Sequence, residues 1–458
     1  MLIRFFIENF LSFNEQSEFS MIKGRARKYS NHVIKSNNQL SVLKSAVLYG
    51  ANASGKTNFV RALDFVKNFV VKGKQPEEPI LIEKFKFDKK SLERPSCFQI
   101  EIYLENQIYL YGFQVDYERV VEEWLYEIKG KKEVLLFSRK AQKNEESKLS
   151  LGDSLKLSKG DKQFIEFVGK GTPSNQLFLT ESNHRNVKYF AKPYEWFRDV
   201  LQIIFPDSKY DGIEFFFEEQ SKIKDLILKI IKYFDVGISD IILEKFKVEQ
   251  DFKDIPEEVI SVLKKGLKRN DMKMILSSPR KDRYMILSSP RKDRYIVSKD
   301  KNEDLIAQRL ISKHKMKESD EYAKLELADE SEGTQRIMDL LPILISFLPV
   351  GNVFVIDEIE RSLHPLLVKK FINLFLSPRF GGNLKQQLIT TTHESNLMDL
   401  ELLRRDEIWF VEKNQYQESC LYSLEEFKPR YDKDIQKGYL NGRFGAIPFI
   451  REPKDLGW

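Results

Sequence analysis

The segment Gly50-Ala-Asn-Ala-Ser-Gly-Lys-Thr57 indicates the fold of this chain most strongly. It has the spacing G-x-x-x-x-G-K-[ST], in which glycines let successive backbone N–H groups point at phosphate oxygens. A short apolar run, residues 41–49, precedes it, and a segment of helical periodicity, residues 59–70, follows it. The pattern predicts a strand, a phosphate-binding loop and a helix whose positive N-terminal end faces the anion.

Each part of this loop has an expected role in binding ATP. We expect Lys56 to contact the β- and γ-phosphates and the Thr57 hydroxyl to bind Mg²⁺. The predicted nucleotide contacts are Gly50, Asn52, Ala53, Ser54, Gly55, Lys56, Thr57 and Asn58.

Asn352-Val-Phe-Val-Ile-Asp-Glu358 predicts a strand buried on both faces that ends in two carboxylates. Asp357 would hold Mg²⁺, directly or through water, and Glu358 would polarise the water that attacks the γ-phosphate. The alternative is a strand that simply ends in an acidic turn. The phosphate loop earlier in the chain favours the catalytic interpretation.

Two further segments carry candidate site residues. Leu388-Ile-Thr-Thr-Thr-His393 predicts a strand followed by a histidine that contacts the γ-phosphate and the attacking water, although a lone histidine is often structural. Glu330-Ser331-Glu-Gly333-Thr-Gln335 opens a helix, where Ser331 and Gly333 could donate to an anion. The alternative for this second segment is an ordinary helix cap.

Composition limits the remaining possibilities. The chain has 458 residues, 41% of them hydrophobic, which predicts a globular protein of more than one domain. Two cysteines cannot form a disulfide framework and favour the reducing cytoplasm. Arg4 and Glu8 interrupt the apolar N-terminal stretch, so we expect no signal peptide, and no uninterrupted apolar run reaches the length of a membrane span.

The middle of the chain predicts mixed structure. Residues 97–128 alternate in polarity and predict antiparallel strands with a turn near Glu105-Asn106, whereas residues 164–205, 221–235 and 256–267 have helical patterns. MILSSPRKDRY occurs twice without change, at 274–284 and 285–295, which indicates a duplication in a surface hairpin or loop. Residues 264–299 contain twelve Lys or Arg against three Asp, so they are either a binding surface for nucleic acid or an acidic protein, or a solvated loop.

The order of these motifs resembles the ABC-type ATPase heads of the SMC, RecF and OLD group. More narrowly, the chain resembles AAA family ATP-binding proteins of bacterial phage defence, a group that includes RloA and the ATPase subunits of the AbiL and PARIS systems. The resemblance extends over most of the chain. Its matching segments are IENFLSF (7–13), YLYGFQVD (109–116), IKYFDVGISDI (231–241), ESEGTQRIMDLLP (330–342), DEIERSLHP (357–365), LRRDEIWFVEK (403–413) and YLNGRFGAIP (439–448).

The resemblance implies an α/β, ABC-type P-loop ATPase head with an antiparallel β subdomain and a mixed helical insertion lobe. It implies an ATP sandwich, in which Ser331 and Gly333 of one protomer contact the γ-phosphate held by another, and Ser362–His364 form the D-loop between the two sites. The usual glycine pair of this signature is Glu332-Gly333 here. The Mg²⁺-sensing glutamine of such heads could be Gln99, Gln107 or Gln114.

The expected domains are an N-terminal ATPase half (1–128), a mostly helical insertion lobe (129–319) and a C-terminal ATPase half (320–458). The expected function is an ATPase, at least dimeric, that controls a separately encoded TOPRIM or RloB-like effector in abortive infection. The alternatives are an OLD-type nuclease and a RecF-like DNA-repair ATPase. Only 65 residues follow His393, and Asp432-Lys-Asp434 is the sole Asp-x-Asp among them, so we expect no nuclease chemistry in this chain.

Overall fold

The structure is a computed structural model of the chain. It describes residues 1–448 except 37–39, 143–146, 211–212, 218–221, 252–256, 268–283, 289–293, 301, 346–350, 378–384 and 431–433. Contacts divide the chain into two compact units. The first comprises Met1–Pro206, Pro349–Glu360 and Leu376–Trp458, and the second comprises Asp207–Leu348 and Arg361–Phe375.

A seven-stranded antiparallel sheet occupies the first unit, with the strand order β10-β9-β8-β7-β6-β1-β2. Glu105 and Asn106 both have positive φ, as a two-residue hairpin turn requires, so the predicted turn is confirmed. The sheet continues past residue 128 because two further strands add to its edge. Its strands are β1 (Leu2–Glu8), β2 (Ser17–Ser20), β6 (Ser96–Leu104), β7 (Gln107–Val115), β8 (Val120–Lys129), β9 (Lys132–Ala141) and β10 (Ser147–Leu151).

A second sheet in the same unit has the order β11-β17-β18-β5-β19-β20. Its first five strands pair in parallel, and β20 pairs antiparallel with β19. Every residue of β5, β17 and β18 is buried, as expected for a parallel sheet that is covered on both faces. The strands are β5 (Ser45–Tyr49), β11 (Leu201–Ile204), β17 (Val353–Ile356), β18 (Gln387–Thr391), β19 (Ile408–Lys413) and β20 (Ser419–Ser423); β3 (Val33–Lys35) and β4 (Ser41–Leu43) form a separate pair.

Strand β11 corrects the helical prediction for residues 164–205. The segment contains several short helices, the last of which is a π-helical turn at Trp196–Val200, and then Leu201–Ile204 extends and pairs in parallel with β17. Four residues are too few for their periodicity to distinguish a strand from the end of a helix. The open edge of β17 supplies the hydrogen bonds that determine the outcome.

Helices form in the segments 59–70, 221–235 and 256–267, where the sequence predicts them. Helix Lys56–Lys72 buries Phe59, Leu63 and Val66 in the core of the first unit. The helices are α1 (Lys56–Lys72), α2 (Lys89–Glu93), α3 (Lys159–Gly171), α4 (Phe178–His184), α5 (Ala191–Glu195), α6 (Lys222–Phe234), α7 (Val248–Asp251), α8 (Glu257–Gly266), α9 (Glu332–Ile345), α10 (Pro365–Leu376), α11 (Leu424–Phe427) and α12 (Ile435–Leu440). Single 3₁₀ turns lie at Ser30–His32, Lys188–Phe190, Ile213–Phe217, Leu327–Asp329, Ser395–Leu397 and Arg405–Glu407.

The second unit is built around a five-stranded sheet. Its order is β12-β15-β14-β13, and β16 also pairs with β15. The strands are β12 (Asp240–Lys247), β13 (Tyr284–Ser288), β14 (Arg294–Lys299), β15 (Leu305–Lys315) and β16 (Tyr322–Glu326). We expected a mostly helical lobe in this part of the chain, whereas the second unit contains a five-stranded sheet. The second unit also includes helix α9, which follows the expected domain boundary at residue 319.

The predicted fold class is confirmed. The chain has the α/β architecture of an ABC-type P-loop ATPase head: a largely parallel sheet with the phosphate loop after β5, and an antiparallel β subdomain. None of the helices in the described ranges combines the length and the apolar character needed to cross a membrane.

The second copy of the repeat forms part of a β-hairpin. Residues 284–288 (β13) pair antiparallel with residues 294–298 of β14, and β13 lies at the edge of the sheet. The first copy, apart from Tyr284, lies outside the described residues. The hairpin agrees with the prediction that the duplication affected a hairpin or loop.

Deletion of residues 285–295 should leave folding intact. Because the copies are identical, the shortened chain again places MILSSPRKDR immediately before YIVSK, so the same hairpin can form with the same register. Thermal unfolding should give a melting temperature within a few degrees of that of the full chain, corresponding to less than about 1 kcal/mol. A large fall in melting temperature would show that the first copy cannot replace the second.

Candidate active site

The phosphate loop lies between β5 and α1 and is held by backbone geometry that only small residues permit. Gly55 has a φ of +113°, and a Cβ there would lie 2.3 Å from Ser419 Oγ. A Cβ on Gly50 would lie 2.3 Å from the Val411 carbonyl oxygen. Both glycines are therefore required by close packing against β19 and β20.

Side chains from other segments fix the rear of this loop. Ser419 donates from Oγ to the Ser54 carbonyl oxygen at 2.6 Å and lies 2.8 Å from Ser12 Oγ. Asn58 also donates to Ser12 Oγ, at 2.8 Å. Asn52 and Ala53, at the tip of the loop, are exposed, and Ala53 has a positive φ. The loop is thus fixed at its base and open to solvent at its tip.

Lys56 lies inside the loop. Its Nζ donates to the carbonyl oxygens of Gly50, at 2.7 Å, and Ala51, at 3.1 Å, and lies 3.4 Å from His393 Nδ1. Burial lowers the pKa of Lys56 to about 8, although the charges of Glu360, Asp357 and Glu358 oppose this shift. The ammonium is therefore a weakly hydrated cation directed at the position where the loop would hold phosphate.

Asp357 follows β17 and is almost completely buried. Its Oδ1 accepts a hydrogen bond from Thr391 Oγ1 at 2.6 Å and another from Thr57 Oγ1 at 3.3 Å. Hydroxyl and carboxylate oxygens are the hard donors that Mg²⁺ prefers. The adjacent oxygens of Thr57 and Asp357 therefore fit an Mg²⁺ ion that takes its other ligands from phosphate and water.

Glu358 has an unusual backbone conformation. Its φ is +47°, in the left-handed region that is costly for a residue with a side chain. Its N–H donates to Thr391 Oγ1 at 2.8 Å, which stabilises this turn. Backbone strain of this kind persists only where the surrounding structure enforces it, and it is concentrated at functional sites.

His393 follows β18 and faces Lys56. An ammonium can only donate, so the 3.4 Å contact makes His393 Nδ1 the acceptor and leaves the ring proton on Nε2. Burial, followed by the charge of Lys56, lowers the pKa of His393, and the carboxylates of Glu360, Glu358 and Asp357 oppose it. The lowered pKa favours the neutral imidazole, which has one N–H available to donate.

The predicted signature residues lie in the second unit. Ser331 Oγ accepts from the Thr334 N–H at 3.1 Å and lies 2.9 Å from the Thr334 hydroxyl, so it caps helix α9. Ser362 donates from Oγ to the Glu332 carboxylate at 3.1 Å. A Cβ on Gly333 would lie 2.8 Å from the Ser362 carbonyl oxygen, so this glycine permits close packing against the predicted D-loop.

The structure thus brings together one group of predicted residues. Lys56, Thr57, Asp357, Glu358 and His393 meet at one edge of the parallel sheet in the first unit. Ser331 and Gly333 belong to the second unit. The three candidate Mg²⁺-sensing glutamines lie on β6 (Gln99) and β7 (Gln107 and Gln114).

Sequence reasoning did not identify two residues of this site. Thr391 connects Asp357 to the Glu358 backbone, and Glu360 accepts the His393 backbone N–H at 2.6 Å. Three consecutive threonines before His393 indicate hydroxyl groups near the site, but the role of each depends on which side chain faces β17. Glu360 gave no signal, because acidic residues are common in surface turns.

Replacement of Thr391 by valine should impair Mg²⁺-dependent ATP hydrolysis. The change removes the donor to Asp357 and the acceptor of the Glu358 N–H, and loss of such a supporting contact typically costs about 10- to 100-fold in metal affinity or activity. Thr391→Ser retains the hydroxyl and should hydrolyse ATP at close to the wild-type rate. The measurement is the Mg²⁺ concentration for half-maximal ATP hydrolysis.

Thr390→Val is the matched control for this experiment. The Thr390 hydroxyl is also buried, but it donates to the carbonyl oxygens of Ile356 and Thr391 and not to a carboxylate. Its loss should reduce stability without raising the Mg²⁺ requirement. Equal Mg²⁺ requirements in wild-type protein and Thr391→Val would contradict the assigned role.

Residues 45–399 match the family model described as "AAA domain, putative AbiEii toxin, Type IV TA system". No curated protein matches the sequence. Among solved structures, the chain is similar to the SMC head domain from Thermotoga maritima, at 12% identity and a TM-score of 0.31, over 92% of this chain and 98% of that one.

The matched residues include the complete group at the sheet edge, from the phosphate loop to His393. The model also covers well over half of the chain. The chain therefore belongs to this AAA-domain family of P-loop ATPases.

Proposed function

We propose that this chain binds and hydrolyses ATP with Mg²⁺ and that its nucleotide state controls a separately encoded effector in an anti-phage, abortive-infection system. The observation that carries the ATPase part is the convergence of Lys56, Asp357, Glu358 and His393 at the mouth of the phosphate loop. The family description, with its reference to a toxin of a toxin–antitoxin system, and the resemblance to phage-defence ATPases support the biological role.

Each residue of the site would have a separate role in ATP hydrolysis. Lys56 would transfer its hydrogen bonds from the loop carbonyls to the β- and γ-phosphates. Thr57 and Asp357 would hold Mg²⁺, which offsets the charge on the phosphate oxygens. Glu358 would orient the attacking water and accept its proton, while His393 would donate from Nε2 to a γ-phosphate oxygen.

Substitutions at Lys56 and Glu358 should affect ATP turnover in different ways. Lys56→Ala removes a phosphate contact and should weaken ATP binding. Glu358→Gln retains size but removes the proton acceptor, so it should bind ATP while turnover falls by about 10²-fold or more. Parallel measurements of nucleotide binding and phosphate release separate the two effects. Wild-type turnover in Glu358→Gln would contradict the catalytic assignment.

We also propose that the protein assembles as at least a dimer when it binds ATP. The phosphate loop and the signature residues Ser331 and Gly333 belong to different units of one chain, and in the resembling heads they meet across two protomers. Part of the free energy of ATP binding would then come from contacts between the two protomers, so ATP would favour their association.

Assembly should depend on the charge at position 331. Since Ser331 caps α9, Ser331→Asp keeps a capping oxygen but places a negative charge where the γ-phosphate of a neighbour is expected. Light scattering should show ATP-dependent association in Glu358→Gln and none in Glu358→Gln combined with Ser331→Asp. Ser331→Thr, which keeps the hydroxyl, is the control. Association that is unaffected by ATP and by Ser331→Asp would contradict the proposal.

The proposed effector is a TOPRIM or RloB-like nuclease encoded beside this chain. Nuclease chemistry in this chain itself has little support, because Asp434 is used as the N-cap of α12, where it accepts from the Lys437 N–H at 2.8 Å. Asp432 lies outside the described residues. Co-purification with the product of the neighbouring gene, and the absence of DNA or RNA cleavage by the isolated chain, test this part of the proposal.

We propose residues 264–299 as the surface that receives an acidic phage protein or nucleic acid. Much of this segment lies outside the described residues. Within its described part, Tyr295 packs edge-on against Phe246, and Arg309 lies over both rings. Tyr295 is therefore engaged within the second unit, so the proposed recognition depends on the basic side chains.

A further inference from the structure

Glu360 is a third carboxylate beside the phosphate loop to which the hydrolysis scheme gives no role. It lies two residues after Glu358. Its Oε1 accepts the backbone N–H of His393 at 2.6 Å, a short bond to a charged acceptor. The contact links the end of β17 to the turn that follows β18, the two segments that bear the catalytic groups.

The second oxygen of this carboxylate is in an unusual environment. Oε2 of Glu360 is shielded from solvent, and within the described part of the chain no hydrogen-bond partner reaches it. A buried polar atom without a partner is unfavourable and calls for an explanation.

Two hydrogen bonds connect three groups through His393. Glu360 accepts from the His393 backbone N–H, and the His393 ring accepts from Lys56 through Nδ1. If the backbone of His393 were released, rotation of its turn would break the contact between Nδ1 and Lys56. The ring would then no longer be held with its Nε2 proton on the opposite side.

We propose that Glu360 is a positioning residue that fixes His393 in the orientation needed to donate from Nε2 to the γ-phosphate. For this role, residue 360 must offer a hydrogen-bond acceptor to the His393 backbone N–H, but it does not need a negative charge. Glu360 acts through His393 and touches no reacting atom. The inference rests on the proposed ATPase function, but its structural part, the orientation and tautomer of His393, can be tested without turnover.

Three variants separate the acceptor from the charge. Glu360→Gln keeps an acceptor oxygen and removes the charge, whereas Glu360→Ala removes both. Glu394→Ala is the control on the same turn, because the Glu394 carboxylate accepts from Asn396 and not from His393. Circular dichroism and thermal unfolding establish that each variant is folded before the comparison is made.

The kinetic test compares kcat with KM for ATP hydrolysis. Glu360→Ala should lower kcat by about 10- to 100-fold, the usual cost of a lost supporting contact, with KM changed by less than about threefold because the phosphate loop is intact. Glu360→Gln should remain within about fivefold of wild type in kcat, and Glu394→Ala should match wild type. Equal losses in Glu360→Gln and Glu360→Ala, or no loss in either, would overturn the proposal.

The spectroscopic test uses ¹⁵N-labelled histidine. The chain has only five histidines, so the signals of His393 can be assigned by comparison with His393→Gln. Wild-type protein, Glu360→Gln and Glu394→Ala should show the Nε2–H tautomer, and Glu360→Ala should show a mixture. An unchanged His393 spectrum in Glu360→Ala would overturn the inference. If instead the wild-type chain hydrolysed no ATP while the spectra changed as expected, the proposed ATPase function alone would fail.

Discussion

The parallel pairing of β17, β18 and β5 is the constraint on which the candidate site depends. Because the three strands run in the same direction, their carboxyl ends reach one edge of the sheet, and the residues that follow them are brought together. Asp357 and Glu358 follow the first strand, His393 follows the second closely, and the phosphate loop follows the third. Segments separated by about 300 residues in sequence thereby come within hydrogen-bonding distance.

A small set of hydrogen bonds fixes the orientation of the residues that the strands bring together. The Thr391 hydroxyl donates to the Asp357 carboxylate and accepts the Glu358 N–H, so one side chain orients both acidic residues. Lys56 and Glu360 hold opposite sides of His393, one through the ring and the other through the backbone. The partners in all of these contacts lie at or just after the ends of β5, β17 and β18, so the pairing of these strands brings them together.

The sequence predicted the parts of this arrangement that local patterns encode. The phosphate loop, the buried strand before Asp357 and the turn at Glu105-Asn106 each follow from residue type and spacing, and the structure has all three. The sequence did not predict β11 or the roles of Thr391 and Glu360, because these depend on which segment lies beside β17. Periodicity can indicate that a segment is a strand, but it does not show which distant segment pairs with it.

Contacts in the structure explain two of the segments that carry the family resemblance. In the segment 403–413, the buried Arg404 guanidinium binds Asp406 and the carbonyl oxygens of Ala26 and Lys28, which fixes the loop before β3. In the segment 439–448, the Ala446 N–H donates to Glu412, and the neighbouring Gly445 leaves no room for a Cβ. This second contact closes the C-terminal segment over β19, whose partner β5 leads into the phosphate loop.

The most direct test of the account is an experimental structure of Glu358→Gln bound to ATP and Mg²⁺. We expect the triphosphate on Gly50–Thr57, with Mg²⁺ contacting Thr57 and lying beside Asp357, and with His393 Nε2 directed at the γ-phosphate. Nucleotide bound elsewhere, or a γ-phosphate held away from Glu358 and His393, would contradict it.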